Sequence, residues 1–173
     1  MLVNKYPEVM NIIKAKLKQI VAEAERRYNA PAGSYWYRFF RFTDPGITGG
    51  TTLVYTDTRT TSDAEEIVSG QSALTVPVSN AYAVFGWYLD ADFGNDGYVQ
   101  IQKQGVTKQE LHARAIYLQK NPKHLYIDFD NIIVGYQQEI LAFWIYNQFG
   151  ADQICMCFPF MFRIASKAAL NLD

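Results

Sequence analysis

The chain has 173 residues, is 49% hydrophobic and 15% aromatic, and carries a formal net charge of −1. That length suits one domain with a sizeable core, and the near-neutral balance excludes a general electrostatic case for nucleic-acid binding. No apolar run reaches the ~20 residues of a membrane span. The first residues lack a signal-peptide core, and two cysteines with no Asn-x-Ser/Thr sequon give no sign of an oxidising compartment, so a soluble protein made in a cytoplasm is expected.

Residues 7–28, "PEVMNIIKAKLKQIVAEAERRY", repeat apolar side chains at three and four residues: Met10, Ile13, Leu17, Ile20, Val21, Ala24 and Tyr28. This predicts an amphipathic helix, with Pro7 in its first turn and Arg26 and Arg27 at the negative end of its dipole. Residues 1–30 hold six Lys/Arg against three Glu, a net +3, which leaves −4 for the rest of the chain. The plainer reading is a helix packed on the domain with solvated lysines. The alternative is an arm whose Lys14, Lys16 and Lys18 face an anionic lipid surface or a neighbouring subunit. The two are compatible at the edge of an assembly.

Residues 31–173 read as one β domain. Strands are expected at 35–43, 51–56, 72–79, 81–90, 98–104, 110–119, 124–130, 139–148 and 153–164, with turn residues between them. The segments 58–71 and 131–138 carry the weakest strand signals. About nine strands with such turns predict an all-β, antiparallel sandwich or barrel behind an N-terminal helix. Pro77 and Pro159 each imply an edge, a bulge or a strand end, and Gly86 a bend or a close backbone approach.

Chemistry is hard to place on this text. Cys155 and Cys157, in "QICMCFPFMFRI" (153–164), share one face of a strand roughly 6.6 Å apart, too far for a disulfide. A zinc site would need two more ligands, and His112 and His124 stand at no Cys2His2 spacing. The cysteines therefore read as buried strand filling. "DADFGNDG" (90–97) fails as an EF-hand in both registers and reads as a hairpin turn, with Asp90, Asp92 and Asp96 left as weak calcium candidates. Asp128 and Asp130 read as a solvated strand face. Arg38 and Arg41 point to opposite faces of their strand, so they form no single aromatic-basic patch. No nucleophile stands beside a base and no phosphate loop joins a strand to a helix, so no catalytic residue and no cofactor is expected.

The cationic helix followed by an aromatic nine-strand run ending in "LAFWIYNQFGADQICMCFPFMFRI" resembles the smaller major capsid protein of membrane-containing icosahedral phages infecting Thermus, the single-β-barrel or sphaerolipovirus type. The resemblance spans the whole chain and rests on no short diagnostic motif. It implies a jelly-roll barrel of about eight to nine strands and a homodimer formed by exchange of an extended segment. It also implies a shell shared with a larger sister capsid protein over an internal membrane, and no enzyme activity. The expected location is then the virion. One departure is compositional: proteins from hot environments favour Glu, Lys and Arg over Asn and Gln, and this chain does the reverse, so aromatic packing and subunit burial would have to supply stability. The rival reading is a carbohydrate- or ligand-binding β-sandwich that stacks its ligand on Tyr and Trp. A third is a hydrolase in which His112 or His124 meets a carboxylate in a pocket.

Overall fold

The computed structural model describes residues 6–40, 64–66, 73–90, 98–112, 123–146 and 156–172. Among these residues, helix α1 (Tyr6–Arg27) is followed by ten strand segments: β1 (Tyr35–Phe40), β2 (Ala64–Glu66), β3 (Ala73–Thr75), β4 (Ala81–Asp90), β5 (Tyr98–Lys103), β6 (Val106–His112), β7 (Lys123–Ile127), β8 (Ile133–Tyr136), β9 (Ile140–Tyr146) and β10 (Met156–Ser166). A short 3-10 turn, Ala168–Leu170, follows β10.

The ten segments occupy eight strand positions. β7 and β8 lie end to end along one side of β4, and β2 and β3 lie end to end along β9. The first sheet runs β1-β10-β4-(β7, β8), and the second (β2, β3)-β9-β5-β6, all antiparallel. The pairings are nested: first position with last, second with seventh, third with sixth, fourth with fifth. A single long hairpin rolled into two facing sheets produces that order, which is the jelly roll. The all-β, jelly-roll fold with an N-terminal helix expected from the sequence is the fold observed.

Two apolar clusters hold it. Between the sheets lie Tyr82, Val84, Trp87, Ile133 and Met161 of the first and Val99, Ile101, Leu111, Leu141 and Phe143 of the second. On the outer face of the first sheet, Ile13, Leu17, Val21 and Ala24 of α1 meet Tyr35, Ala81, Ala83, Phe85, Phe162 and Ile164. The helical stripe read from the sequence is thus the docking face of α1, and each Val, Leu or Ile side chain it buries contributes about 1.5–3 kcal/mol.

Strand β4 is enclosed from both sides, so every residue from Ala81 to Trp87 is buried. Ala81, Ala83 and Phe85 turn to the helix, Tyr82, Val84 and Trp87 to the second sheet. Strict alternation would send Trp87 outward with Phe85. The register shift opposite Phe160/Met161 resets it: Met161 pairs with Val84 and Phe160 with Gly86, which leaves Phe85 as the extra residue of a β-bulge. Gly86 adopts φ +151°, and a Cβ there would lie 2.1 Å from the Tyr126 carbonyl oxygen. The close approach expected at this glycine is real. Pro159 lies in β10 two residues before Met161, beside the same irregularity, and Pro77 lies just past the end of β3.

Several boundaries differ from the sequence reading. β6 begins at Val106 rather than 110, because Gln104 (φ 52°) and Gly105 (φ 73°) both take positive φ and close a two-residue hairpin. β7 ends at Ile127 rather than 130, because the Asp128 carboxylate accepts hydrogen bonds from the backbone N–H of Asp130 and Asn131, each at 3.0 Å, and turns the chain. Asp128 and Asp130 therefore stand in a turn and not on a strand face. Segments 58–71 and 131–138 do contain strands, β2 and β8. The strand expected at 51–56 and residues 113–119 of the one expected at 110–119 lie outside the described residues.

Replacing Gly86 with Ala is expected to destabilise the protein by about 3 kcal/mol or more, since a Cβ must displace backbone at an already strained φ. Urea unfolding of the variant measures this, and a loss below about 1 kcal/mol would contradict the bulge geometry.

Candidate functional site

The residues singled out in the sequence are dispersed in the fold. Lys14 and Lys18 are exposed on α1, and Lys16 is half-buried. Cys157 occupies a position in β10 paired with Leu89 of β4, and Asp90 closes β4 opposite Lys123 and Met156. Cys155, Asp92, Asp96 and Arg41 lie outside the described residues. His112 is exposed on the edge strand β6, with Nε2 2.7 Å from Glu110 Oε1 of the same strand. Among the described residues no group of three or more His, Cys, Asp or Glu side chains could hold a metal ion, and no helix is long and apolar enough to cross a membrane.

What the fold does bring together is a polar clasp at one end of the roll. Glu23 accepts from Arg26 through both carboxylate oxygens (2.9 and 2.7 Å) and from Arg27 Nε at 2.7 Å, one helical turn away. The Arg27 guanidinium lies 3.9 Å from the ring centre of Tyr136 in β8. Tyr28, just past the helix, donates its hydroxyl to the Asn80 carbonyl and accepts from the Gln137 N–H. Tyr35 donates its own to Ser79 O at 3.0 Å. From the second sheet, Lys103 Nζ crosses to Val134 O and to Glu139 Oε2, both at 2.8 Å. Helix, β3–β4 turn, β8–β9 turn and both sheets are tied at this end.

The titrating groups follow from these contacts. Hydrogen bonds from Arg26, then Arg27, hold the Glu23 carboxyl at about 2, well below the usual carboxylate range. Burial pushes Glu139 up, but the hydrogen bonds from Lys103 and the Tyr136 N–H outweigh it and leave its carboxyl low. Burial raises the hydroxyls of Tyr28, Tyr82 and Tyr136.

A second cluster was missed by the sequence reading, which compared Arg38 with Arg41. In the β1–β10 register the Cα partner of Arg38 is Arg163. Both line an open cavity of about 320 Å³ at the edge of the first sheet, bordered by the 3-10 turn and Asn171. No signal in the sequence links these arginines, because their meeting depends on a strand pairing between opposite ends of the chain.

The β1 edge also exposes large apolar side chains: Trp36 is 42% and Phe39 44% exposed. Trp36 stacks on Tyr37, with ring centres 5.2 Å apart. β1 has β10 as its one strand partner among the described residues.

A family model described as "Domain of unknown function (DUF5113)" matches residues 2–149. No curated protein matches the chain. Among solved structures, the crystal structure of dimeric latent PorU from Porphyromonas gingivalis is similar at a TM-score of 0.32 and 9% identity, over 77% of this chain and 13% of that one.

The clasp has a pH signature. A depressed carboxyl stabilises the fold above its unfolded value of about 4.5, and that contribution disappears as pH falls toward about 2. Glu23→Gln is expected to flatten the stability profile in this acid window. Urea midpoints measured from about pH 5 down to about pH 2 read it out, and a profile unchanged from wild type would mean that Glu23 stabilises nothing.

Proposed function

The chain belongs to the DUF5113 family of domains of unknown function, and we propose that it serves as a structural viral capsid subunit, a jelly roll that dimerises and tiles an icosahedral shell beside a larger sister capsid protein. The observation that carries this reading is the strand order, β1-β10-β4-(β7, β8) facing (β2, β3)-β9-β5-β6. This roll is the one used by viral capsid and lectin domains. A fold alone does not assign a function, so two further features matter. The resemblance of the helix-plus-strands text to the smaller capsid protein of membrane-containing Thermus phages supplies the dimer, the larger partner and the internal membrane. The exposed aromatics on β1, which has one strand partner among the described residues, suit subunit contact, since a sheet edge flanked by apolar side chains invites another chain.

In this reading the work is mechanical. The roll gives a stiff tile, α1 thickens one face of it, and the weakly charged surface allows close neighbours without like-charge repulsion. Lys14 and Lys18, exposed one turn apart on α1, suit contact with anionic headgroups beneath a shell, whereas Lys16, two residues from each, is half-buried on another side of the helix. The protein would be made in the host cytoplasm and reside in the virion, with no catalytic step and no cofactor.

Purified protein is expected to be at least dimeric in solution and to enter larger particles when mixed with the other coat proteins of its virion. Light scattering tests both, and a strict monomer that joins no particle would defeat the proposal. Selective, chelator-sensitive binding on a glycan array would instead support the lectin reading, with Asp90, Asp92 and Asp96 as its calcium ligands.

Changing Lys14, Lys16 and Lys18 to Glu is expected to weaken binding to phosphatidylglycerol vesicles by about tenfold or more, because each basic residue near such a surface contributes about 1 kcal/mol. Unchanged flotation would assign these lysines to solvent alone.

A further inference from the structure

The arginine pair at the edge of the first sheet is an electrostatic anomaly. Directly opposed residues of antiparallel strands have Cα atoms about 4.5–5.5 Å apart, and like charges there destabilise the pair. Arg38 and Arg163 are such partners. Both sit in a part of the chain whose net charge is negative, yet none of the described residues that line the cavity they share carries a carboxylate.

Their donors are largely unspent. Arg38 reaches the Leu170 carbonyl through Nη1 at 3.4 Å, the outer limit of a hydrogen bond. Arg163 uses Nε, which donates to Asn80 Oδ1 at 2.7 Å and fixes the guanidinium in place. Its two terminal nitrogens have no protein acceptor among the described residues. The surroundings are firm: Phe40 packs edge-on against Tyr82, whose backbone pairs with Arg163, and the buried Leu170 side chain anchors the 3-10 turn.

We propose that this cavity binds a phosphate group between Arg38 and Arg163. Guanidinium forks match phosphate oxygens in a bidentate geometry. A phosphate group carries about −1.5 to −2 at neutral pH, which balances two arginines where a single carboxylate would balance one. The cavity, at about 320 Å³, accommodates the group together with part of whatever bears it. The site owes nothing to the capsid reading and stands if that reading fails.

The test uses the full chain and inorganic phosphate against chloride at matched ionic strength. Wild type should gain about 3 °C in Tm at a tenfold excess over Kd. Arg38→Gln should lose that gain and, without phosphate, melt no lower than wild type, since it removes a like-charge neighbour. An absent response, or an equal one in Arg38→Gln, would overturn the proposal, because phosphate excluded from the surface stabilises any protein. Arg163→Gln also breaks the Asn80 contact, so the second measurement is on wild type. The Nε–H resonances of Arg38 and Arg163 should move and saturate with phosphate, and unmoved signals would refute the site. The same saturation with acetate in place of phosphate would overturn the assignment to phosphate. Vesicles containing phosphatidic acid separate the sources. Binding lost in Arg38→Gln and competed by inorganic phosphate identifies a lipid headgroup, and a phosphate response without such binding identifies a soluble ligand.

Discussion

The fold depends on keeping β4 dry on both faces. Between Ala81 and Trp87 the strand has no solvated side, so it needs a second sheet within it and a helix over it. Small residues face the helix at Ala81 and Ala83, which lets α1 approach the sheet, and Phe85 fills the space further along. The bulge at Phe85–Gly86 then moves the largest side chain of the strand, Trp87, into the inter-sheet core. Partners of β4 adapt to the same irregularity: β7 and β8 are separate segments because the chain leaves the ladder opposite Phe85, whose carbonyl accepts from the Asp128 N–H at 2.8 Å. One residue out of register on a central strand thus divides its neighbour in two.

Polar groups are handled unevenly. At the clasp, tyrosine hydroxyls, backbone carbonyls and charged side chains answer one another, and Lys103 links the sheets by a contact that apolar packing would not specify. Inside, the Trp87 indole N–H and the Gln109 amide are buried without hydrogen-bond partners among the described residues. Each such group costs about 1–3 kcal/mol. The apolar clusters must exceed that loss, which is consistent with a core rich in aromatic side chains at edge-on contacts, such as Trp87 with Phe143 and Phe85 with Phe162.

The two cationic features differ in kind. Lys14 and Lys18 stand in water on the outside of α1, where salt screens them and any partner must be a surface. Arg38 and Arg163 stand at the mouth of a cavity with little compensating charge, where a small anion meets two oriented forks. The proposed tile-like role rests on the fold and the β1 edge, and the arginine site would add ligand recognition to the same edge of the sheet.

The local features were legible because they depend on neighbours in the chain. The apolar stripe of α1, β4 at 81–90, the close approach at Gly86 and the irregularity near Pro159 all follow from periodicity or from what one residue type permits. The hairpin at Gln104–Gly105 escaped because a glutamine at positive φ carries no strong signature, and the turn after Ile127 because Asp128 can end a strand as readily as decorate its face. The sequence by itself determined an all-β domain preceded by an amphipathic helix, since side-chain period and turn chemistry are local properties. Only the tertiary structure decided that the strands nest first with last, that the helix covers the β4 side of the roll, and that Arg38 meets Arg163. Those facts arise from pairings between distant segments, and a period of two says which face a side chain takes but never which strand lies beside it.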